Sequence, residues 1–307
     1  MIISFLKAAR LRTLPLSISG IIVGSFLGNH FVNSQIDAVS QSVFASPIFW
    51  LAIITTIGFQ VLSNFANDYG DGIKGSDKNR IGEARMVSSG KITPKQMKKA
   101  MIFTAIFTLI VALFLIYISF GKENFGYSIL FFLLGIASIA SAIKYTVGNA
   151  AYGYIGFGDV FVFLFFGLLS VLGSYFLITK QLNFQLFLPA IAIGFLSTAV
   201  LNLNNLRDEE QDKINQKNTL VVKLGTKTAK NYYFFLIFGA LFVSNIFVIM
   251  NYQSAIQFSY LIAFIPLIKN LIRVAKNNNP SELDGELKKV ALSTFLFAVI
   301  FGIVNTL

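Results

Sequence analysis

The sequence predicts an all-α membrane protein with about nine transmembrane helices in one bundle. Hydrophobic residues make up 55% of the 307 residues and charged residues only 13%, roughly half the ~25% typical of soluble domains. Apolar stretches of about 17–25 residues, the length that crosses a bilayer, recur along the chain. They cover residues 14–33, 45–66, 100–120, 127–143, 156–178, 184–203, 231–250, 254–272 and 289–306.

The individual spans carry further information. The first span is too long for the apolar core of a signal peptide, so we expect it to be retained. The second and sixth spans end in polar clusters, and Pro266 is expected to kink the eighth. Connections are short and no Gly/Ser-rich or Pro-rich linker separates them, which predicts a single domain over residues 1–307.

Basic residues predict the orientation in the membrane. If the N-terminus and every second loop face the cytoplasm, those segments hold 23 of the 25 Lys and Arg residues, leaving only Lys122 and Lys180 outside. The positive-inside rule therefore places both polar clusters on the cytoplasmic side of the cell (inner) membrane. The formal charge of +11 is an orientation signal with some contact to anionic lipid, and no soluble domain exists to bind nucleic acid.

The first polar cluster continues the second span. Carried on as a helix at about 100° per residue, this segment puts five polar side chains within an arc of about 100°. They are Gln60, Asn64, Asn67, Asp68 and Asp71. Asp77 follows in the next loop, together with the cations Lys74, Arg80 and Arg85.

The second polar cluster ends the sixth span. Asn205, Asp208 and Asp212 are expected to form a similar face, beside Asn204 and Arg207. Of the 14 Asp and Glu residues, seven lie in segments 68–77 and 208–212, although carboxylates are costly near a bilayer. Simple capping of helix ends is a weaker explanation, because a cap does not require amides and acids on one face of the helix.

Magnesium diphosphate binding explains both clusters. Carboxylate and amide oxygens without His or Cys suit Mg²⁺, which takes one or two carboxylates together with substrate phosphates. The predicted metal ligands are Asp68, Asp71, Asp77, Asp208 and Asp212. The cations Lys74, Arg80, Arg85 and Arg207 are expected to bind phosphate oxygens. The chain contains no cysteine, which excludes disulfides and thiolate chemistry.

These motifs resemble those of UbiA-type intramembrane prenyltransferases, most closely the branch that prenylates 1,4-dihydroxy-2-naphthoate. The similar segments are Asn-Asp-Tyr-x-Asp-x3-Gly-x-Asp (67–77), Asn-Asn-x-Arg-Asp-x3-Asp (204–212), Thr-Leu-x-Val-x-Leu-Gly (219–225), Tyr-Gly-Tyr-x-Gly-x-Gly-Asp (152–159) and Arg-Leu-Arg-Thr-Leu-Pro-Leu (10–16). One departure is Gln216, which stands where the family has glycine before Lys217.

The resemblance implies a function. It implies Mg²⁺-dependent transfer of a polyprenyl group from an allylic diphosphate to 1,4-dihydroxy-2-naphthoate, with decarboxylation to demethylmenaquinol. Asp68, Asp71, Asp208 and Asp212 would hold the metal and diphosphate, assisted by Asn64, Asn67 and Asn204. Further roles fall to a smaller set: Lys144 and Asp159 in catalysis, and Arg12, Gln60 and Tyr145 in substrate binding.

Alternatives remain at the level of the sequence. Within the family, 4-hydroxybenzoate or homogentisate are other aromatic acceptors. An ion-coupled transporter would also use acidic residues on membrane helices, but transporter sites lie near the midplane, whereas both clusters end their spans. The acidic run 282–286 is flanked by lysines and is expected to be a solvated loop.

Overall fold

The computed structural model describes residues 1–35, 41–75, 84–148 and 151–307. Within these ranges the chain is helical, with no strand, and nine segments are long and apolar enough to cross a membrane. The predicted fold class is confirmed. The spanning segments are Ile2–Asn33, Pro47–Lys74, Pro94–Phe120, Phe125–Lys144, Gly158–Thr179, Phe184–Arg207, Leu220–Met250, Ala255–Lys276 and Leu283–Val304.

The described residues form twelve α-helices. They are α1 (Ile2–Ala9), α2 (Leu14–Asn33), α3 (Pro47–Lys74), α4 (Pro94–Phe120), α5 (Phe125–Lys144), α6 (Gly158–Val162), α7 (Ser170–Thr179), α8 (Phe187–Arg207), α9 (Glu209–Ile214), α10 (Leu220–Met250), α11 (Phe264–Lys276) and α12 (Leu283–Val304). Helix α9 lies between the sixth and seventh spans, and the other eleven belong to spans. A π-helical stretch, Phe163–Leu169, joins α6 to α7. The eighth span begins as a 3₁₀ helix, Ala255–Ala263, and becomes α-helical just before Pro266.

Helix α8 is the centre of the bundle. It packs against α10, α12 and the π-helical stretch, while α2 lies between α7 and α12. Close approach needs small residues, as in other membrane bundles. A Cβ atom on Gly167 would lie 2.6 Å from the Ala190 carbonyl oxygen and from the Gly194 Cα. Side chains from α8, α10, α11 and α12 form the largest hydrophobic core.

The polar ends of α3 and α8 differ in their local structure. Helix α3 runs unbroken through its polar cluster to Lys74 and ends at Gly75, which has a φ of 72°. Helix α8 stops at Arg207, and Asp208 separates it from the short helix α9. The predicted single face of Asn205, Asp208 and Asp212 is therefore broken at its middle residue.

Candidate active site

A long cavity runs through the bundle between the two polar clusters. Its volume is about 390 Å³, and α2, α3, α5, the fifth span, α8 and α12 contribute its walls. Along α3 it is lined from Ala52 to Asp71, which corresponds to about 28 Å of helix. One end is polar, and the other is bounded by apolar side chains such as Leu115, Phe131 and Leu177. The cavity is thus narrow and nearly as long as the hydrocarbon core is thick.

Cations dominate the polar end of the cavity. Among the described residues, its wall contains six cationic side chains and a single carboxylate, that of Asp71. The cations are Arg10, Arg12, Arg85, Arg207, Lys217 and Lys288. Such a wall favours a ligand with several negative charges.

Among the described acidic residues of the first cluster, Asp71 is the one that lines the cavity. Its side chain is almost fully buried, with 3% of the residue exposed. Oδ2 accepts a hydrogen bond from the Arg85 guanidinium at 3.0 Å, and Oδ1 accepts one from the Tyr154 hydroxyl at 2.7 Å. Both oxygens of this carboxylate therefore accept hydrogen bonds at the cavity wall, one of them from a cation.

Asp68 faces away from the cavity. Its two carboxylate oxygens accept the backbone N–H groups of Met86 at 2.9 Å and Val87 at 2.8 Å. It lies at the edge of the predicted arc, which explains why it meets the returning loop rather than the cavity. In this structure Asp68 holds the 85–87 segment, and with it Arg85, against α3. Its role as a metal ligand stays a prediction.

Amide side chains complete the α3 wall. Asn64 donates to the Ala9 carbonyl at 2.8 Å and to Thr13 Oγ1 at 3.2 Å, and Gln60 donates to the same Thr13 oxygen. Asn67 Oδ1 accepts from the Thr146 hydroxyl at 3.1 Å. All three amides line the cavity, as the helical arc predicted.

Arg207 organises the second cluster. Its buried guanidinium donates to both oxygens of Asp208 at 2.7 and 2.8 Å, to Asn204 Oδ1 at 2.9 Å and to Asp284 at 2.5 Å. Asn204 and Arg207 line the cavity, whereas Asp208 and Asp212 do not belong to its wall. The face of this cluster that meets the cavity is therefore one position away from the predicted one.

Two residues beyond the predicted set join the clusters. Tyr154 binds Asp71 through its hydroxyl, and its carbonyl accepts from the Asn218 backbone at 2.9 Å. Its ring lies under the Lys74 Nζ, 3.8 Å from the ring centroid, and 5.6 Å from the Lys217 Nζ. Lys217 in turn lies 3.7 Å from Asp212.

Asp284 is the second such residue. It bonds Arg207 and lies 3.9 Å from the Arg12 guanidinium, so the start of α12 closes the cavity's polar end. The expectation that the 282–286 run is a solvated loop was wrong, because helix α12 begins at Leu283. The Asp284 side chain is 37% exposed, and Glu286 is buried and accepts from Asn270 and Arg273. The neighbouring lysines indicated local ion pairs, whereas the partners of Asp284 are the distant Arg12 and Arg207. Tyr154, in contrast, lay inside a motif that the sequence had already singled out.

The remaining predicted residues are dispersed. Tyr145 lines the cavity. The pKa of its phenol is raised, mainly because the side chain is buried and to a smaller extent because the Asp159 carboxylate is nearby, so the phenol stays protonated. Arg12 also lines the cavity. Lys144 is exposed and Lys74 bonds the Thr146 carbonyl at 3.0 Å; neither forms part of the wall. Asp159 borders a different cavity.

Asp77 and Arg80 lie outside the described residues. Within the described ranges, no three His, Cys, Asp or Glu side chains form a group able to hold a metal ion. The donor set still fits Mg²⁺, which needs only one or two carboxylates beside substrate phosphates and water. Asp71 supplies a carboxylate at the cavity wall. Asn67 on α3 and Asn204 on α8 also line the cavity, and their amide oxygens accept hydrogen bonds from Thr146 and Arg207.

Comparisons with known proteins agree with this architecture. The model of the UbiA prenyltransferase family matches residues 37–301. The chain is 40% identical over 299 residues to a 1,4-dihydroxy-2-naphthoate octaprenyltransferase of Escherichia coli K12, covering 97% of this chain and 93% of the relative. A Mycobacterium leprae protein of the same name is 31% identical over 232 residues, covering 75% of this chain and 72% of the relative.

Solved structures share the fold at low identity. A UbiA homologue from Archaeoglobus fulgidus superposes with a TM-score of 0.65 at 15% identity, covering 99% of this chain and 100% of the homologue. A structure of a UbiA homologue from the same organism bound to GPP and Mg²⁺ has a TM-score of 0.64 at 13% identity, with 97% and 99% of the two chains covered.

Proposed function

Because this chain belongs to the UbiA prenyltransferase family, we propose that it transfers a polyprenyl group from an allylic diphosphate to 1,4-dihydroxy-2-naphthoate. The observation that carries the proposal is the shape and charge of the central cavity. Six cations surround one carboxylate at its polar end, and an apolar tube leads away along α3. A diphosphate with a long isoprenoid tail has the matching distribution of charge and length.

The diphosphate is proposed to bind at the polar end. Arg85 and Lys217 approach from the loops that follow the two clusters, on either side of Tyr154 and Asp71. Asp71, with Asn67 and Asn204, would hold Mg²⁺ there, and Asp68, Asp77, Asp208 and Asp212 are proposed to support that site. The bound metal would neutralise negative charge that builds up on the departing diphosphate.

The chain's own residues then have three tasks. The cations stabilise the diphosphate oxygen that keeps the electron pair when the allylic C–O bond breaks. Aromatic walls such as Phe161 and Phe165 exclude water, which would otherwise capture the resulting allylic cation. The electron-rich ring of the acceptor forms the new C–C bond, and loss of its carboxylate as CO₂ restores aromaticity.

The acceptor is an anion and is proposed to enter the same polar end. Arg10, Arg12 and Lys288 line the wall near α12, where Asp284 fixes Arg207. One group of cations would thus bind the diphosphate and a second group would bind the carboxylate of the acceptor. We place this end on the cytoplasmic side of the inner membrane because the positive-inside count favours that orientation.

The test is a reaction with purified protein in detergent, supplied with Mg²⁺, a polyprenyl diphosphate and one acceptor at a time. Mass spectrometry should find a prenylated, decarboxylated naphthoquinol from 1,4-dihydroxy-2-naphthoate. Product only from 4-hydroxybenzoate or homogentisate would contradict the proposed acceptor but keep the reaction class. No product from any acceptor with a folded sample would contradict the proposal as a whole.

A further inference from the structure

A second cavity lies on the opposite side of α6 from the central one. Its volume is about 370 Å³, within the usual range for small-molecule sites of roughly 300–1,000 Å³. We call it the lateral cavity and define it by Phe157, Asp159, Phe163, Thr198, Tyr232 and Phe235. Gly158, Phe161 and Val162 of the same short helix line the central cavity instead. Helix α6 therefore separates two distinct sites.

Two side chains that line the lateral cavity carry buried polar atoms without protein partners in the described chain. Asp159 is 4% exposed and Thr198 is 1% exposed. Neither the Asp159 Oδ1 nor the Thr198 Oγ1 has a hydrogen-bond partner within the described part of the chain. Asn202, one turn from Thr198 on α8, is fully buried, and its Oδ1 and Nδ2 are also without a partner there. Such burial is costly in a membrane protein unless a ligand or water supplies the missing bonds.

The walls of the lateral cavity are mostly aromatic and aliphatic, and they include Lys223, whose Nζ donates to the Ile155 carbonyl at 2.8 Å. The ring of Phe195 lies 5.5 Å from the ring of Phe163 and 5.5 Å from that of Phe235, measured between centroids. Tyr232 adds a further ring. Planar aromatic ligands are favoured between such side chains because they offer large contact area and edge or face packing.

The exposed rim of the lateral cavity is apolar. Phe157, Val160 and Phe235 are each about half exposed, at 52%, 50% and 59%. Val160 and Phe235 belong to segments long and apolar enough to span a membrane, and Phe157 directly precedes one, so we infer that this rim faces the bilayer. A ligand would therefore enter from the membrane.

We propose that the lateral cavity binds a membrane-soluble aromatic diol, a prenylated hydroquinone. Its hydroxyl groups donate to the Asp159 carboxylate and exchange a hydrogen bond with Thr198, while its ring packs among the phenylalanines. The isoprenoid tail leaves through the lipid-facing rim. The identity of this ligand rests on the proposed function, because the product of that reaction is such a diol; the site would hold it after release from the central cavity.

A fluorescent reporter tests this site. Trp50 is the single tryptophan of the sequence, so the Trp50→Phe variant gives a dark background into which Phe235→Trp is introduced. Phe242→Trp is the matched control, because Phe242 is also exposed on α10 but is not among the residues that line the cavity. The probe is a 1,4-naphthalenediol with a two-isoprene tail, kept reduced by dithionite, added to protein in lipid nanodiscs.

The expected result is saturable quenching of the Phe235→Trp reporter and only linear, partition-driven quenching of the Phe242→Trp reporter. Adding Thr198→Val should raise the diol concentration that gives half-maximal saturable quenching by about 3- to 10-fold, as expected for one lost hydrogen bond. Thr55→Val is its matched control, since Thr55 is a buried threonine without a hydroxyl partner in the described chain that lines the central cavity. It should leave the phase unchanged.

A second measurement does not depend on the threonine variants. The 1,4-dimethoxy analogue of the probe lacks hydroxyl donors and should bind the Phe235→Trp protein at least about 10-fold more weakly. Equal binding of both compounds would overturn recognition through hydroxyl groups. Linear quenching at both reporters, or sensitivity to Thr55→Val alone, would overturn the lateral site.

Turnover measured on the same preparations separates the two proposals. Prenyl transfer without saturable quenching would leave the proposed function standing and remove the lateral site. Saturable quenching by the diol in a protein that prenylates no acceptor would keep the site but remove the proposed origin of its ligand.

Discussion

The two polar clusters have similar composition but opposite roles at the central cavity. The α3 cluster presents Asp71 and three amides to the cavity, and its cationic partner Arg85 lies 14 residues further along the chain. The α8 cluster presents Asn204 and the cation Arg207, whose bidentate carboxylate partner is the adjacent Asp208. One cluster thus gives the wall its acid, and the other contributes a cation.

The difference follows from helix geometry. Helix α3 continues through its cluster, so a periodicity of about 3.6 residues keeps its polar side chains on one face. Helix α8 ends at Arg207, and the break at Asp208 turns the later acids away from the wall. Clusters of similar sequence can therefore differ in function. The α3 cluster presents polar side chains to the cavity, whereas in the α8 cluster Asp208 forms an ion pair with Arg207.

The largest expected effect is a loss of turnover when Asp71 of the α3 cluster is replaced. Asp71→Asn removes the carboxylate that is proposed to hold Mg²⁺, and turnover should fall by at least about 10²- to 10³-fold, as when a group that stabilises the transition state is lost. Steady-state assays with a prenyl diphosphate measure it. Glu210→Gln, an exposed acid of the α8 cluster, is the control and should keep normal turnover. Near-normal activity of Asp71→Asn would remove Asp71 from the site.

The corresponding change in the α8 cluster should act on stability as well. Arg207→Gln leaves Asp208 buried without its bidentate cation, which costs about 3–5 kcal/mol for buried pairs. Unfolding in mixed detergent micelles should show this loss. Asp71→Asn also breaks a buried ion pair, that of Asp71 with Arg85, so it should lower the unfolding midpoint by a comparable amount. An Arg207→Gln protein as stable as the parent would contradict the structural role of the pair.

A smaller effect tests the connection between the clusters. Tyr154→Phe removes the hydroxyl that bonds Asp71 but keeps the ring beneath Lys74. Turnover should fall by about 3- to 10-fold, the value of one hydrogen bond, and the Mg²⁺ concentration needed for half-maximal rate should rise. A purely structural role would lower stability and leave the Mg²⁺ dependence unchanged.

The smallest effect concerns the loop after the α8 cluster. Gln216 has a φ of 56°, a left-handed conformation that costs a non-glycine residue about 1–2 kcal/mol. Gln216→Gly should therefore stabilise the protein, by no more than about 1 kcal/mol because glycine is also more flexible when unfolded. The midpoint temperature of thermal unfolding should rise by about 1–3 °C. A lower midpoint would contradict the idea that glycine suits this position better than Gln216.

The fold could be predicted from the sequence because the patterns that indicate membrane-spanning helices are local. Nine apolar runs, such as 100–120 and 184–203, predicted the spans, and the helical arc from Gln60 to Asp71 predicted most of the α3 wall. Prediction from the sequence failed where partners are distant. The Asp68 bonds to the 86–87 backbone, and the Asp284 contact with Arg207, depend on loop folding and helix packing that no spacing rule contains.

The most direct test of the central claim is calorimetric binding of a non-reactive prenyl thiodiphosphate. The account predicts that the parent protein binds it in Mg²⁺ and much more weakly in chelator, and that Asp71→Asn abolishes this metal dependence. Lys217→Met should weaken binding with or without Mg²⁺, because it removes a cation from the wall. Equal affinity in Mg²⁺ and in chelator for the parent protein would contradict a metal-assisted diphosphate site between the two clusters.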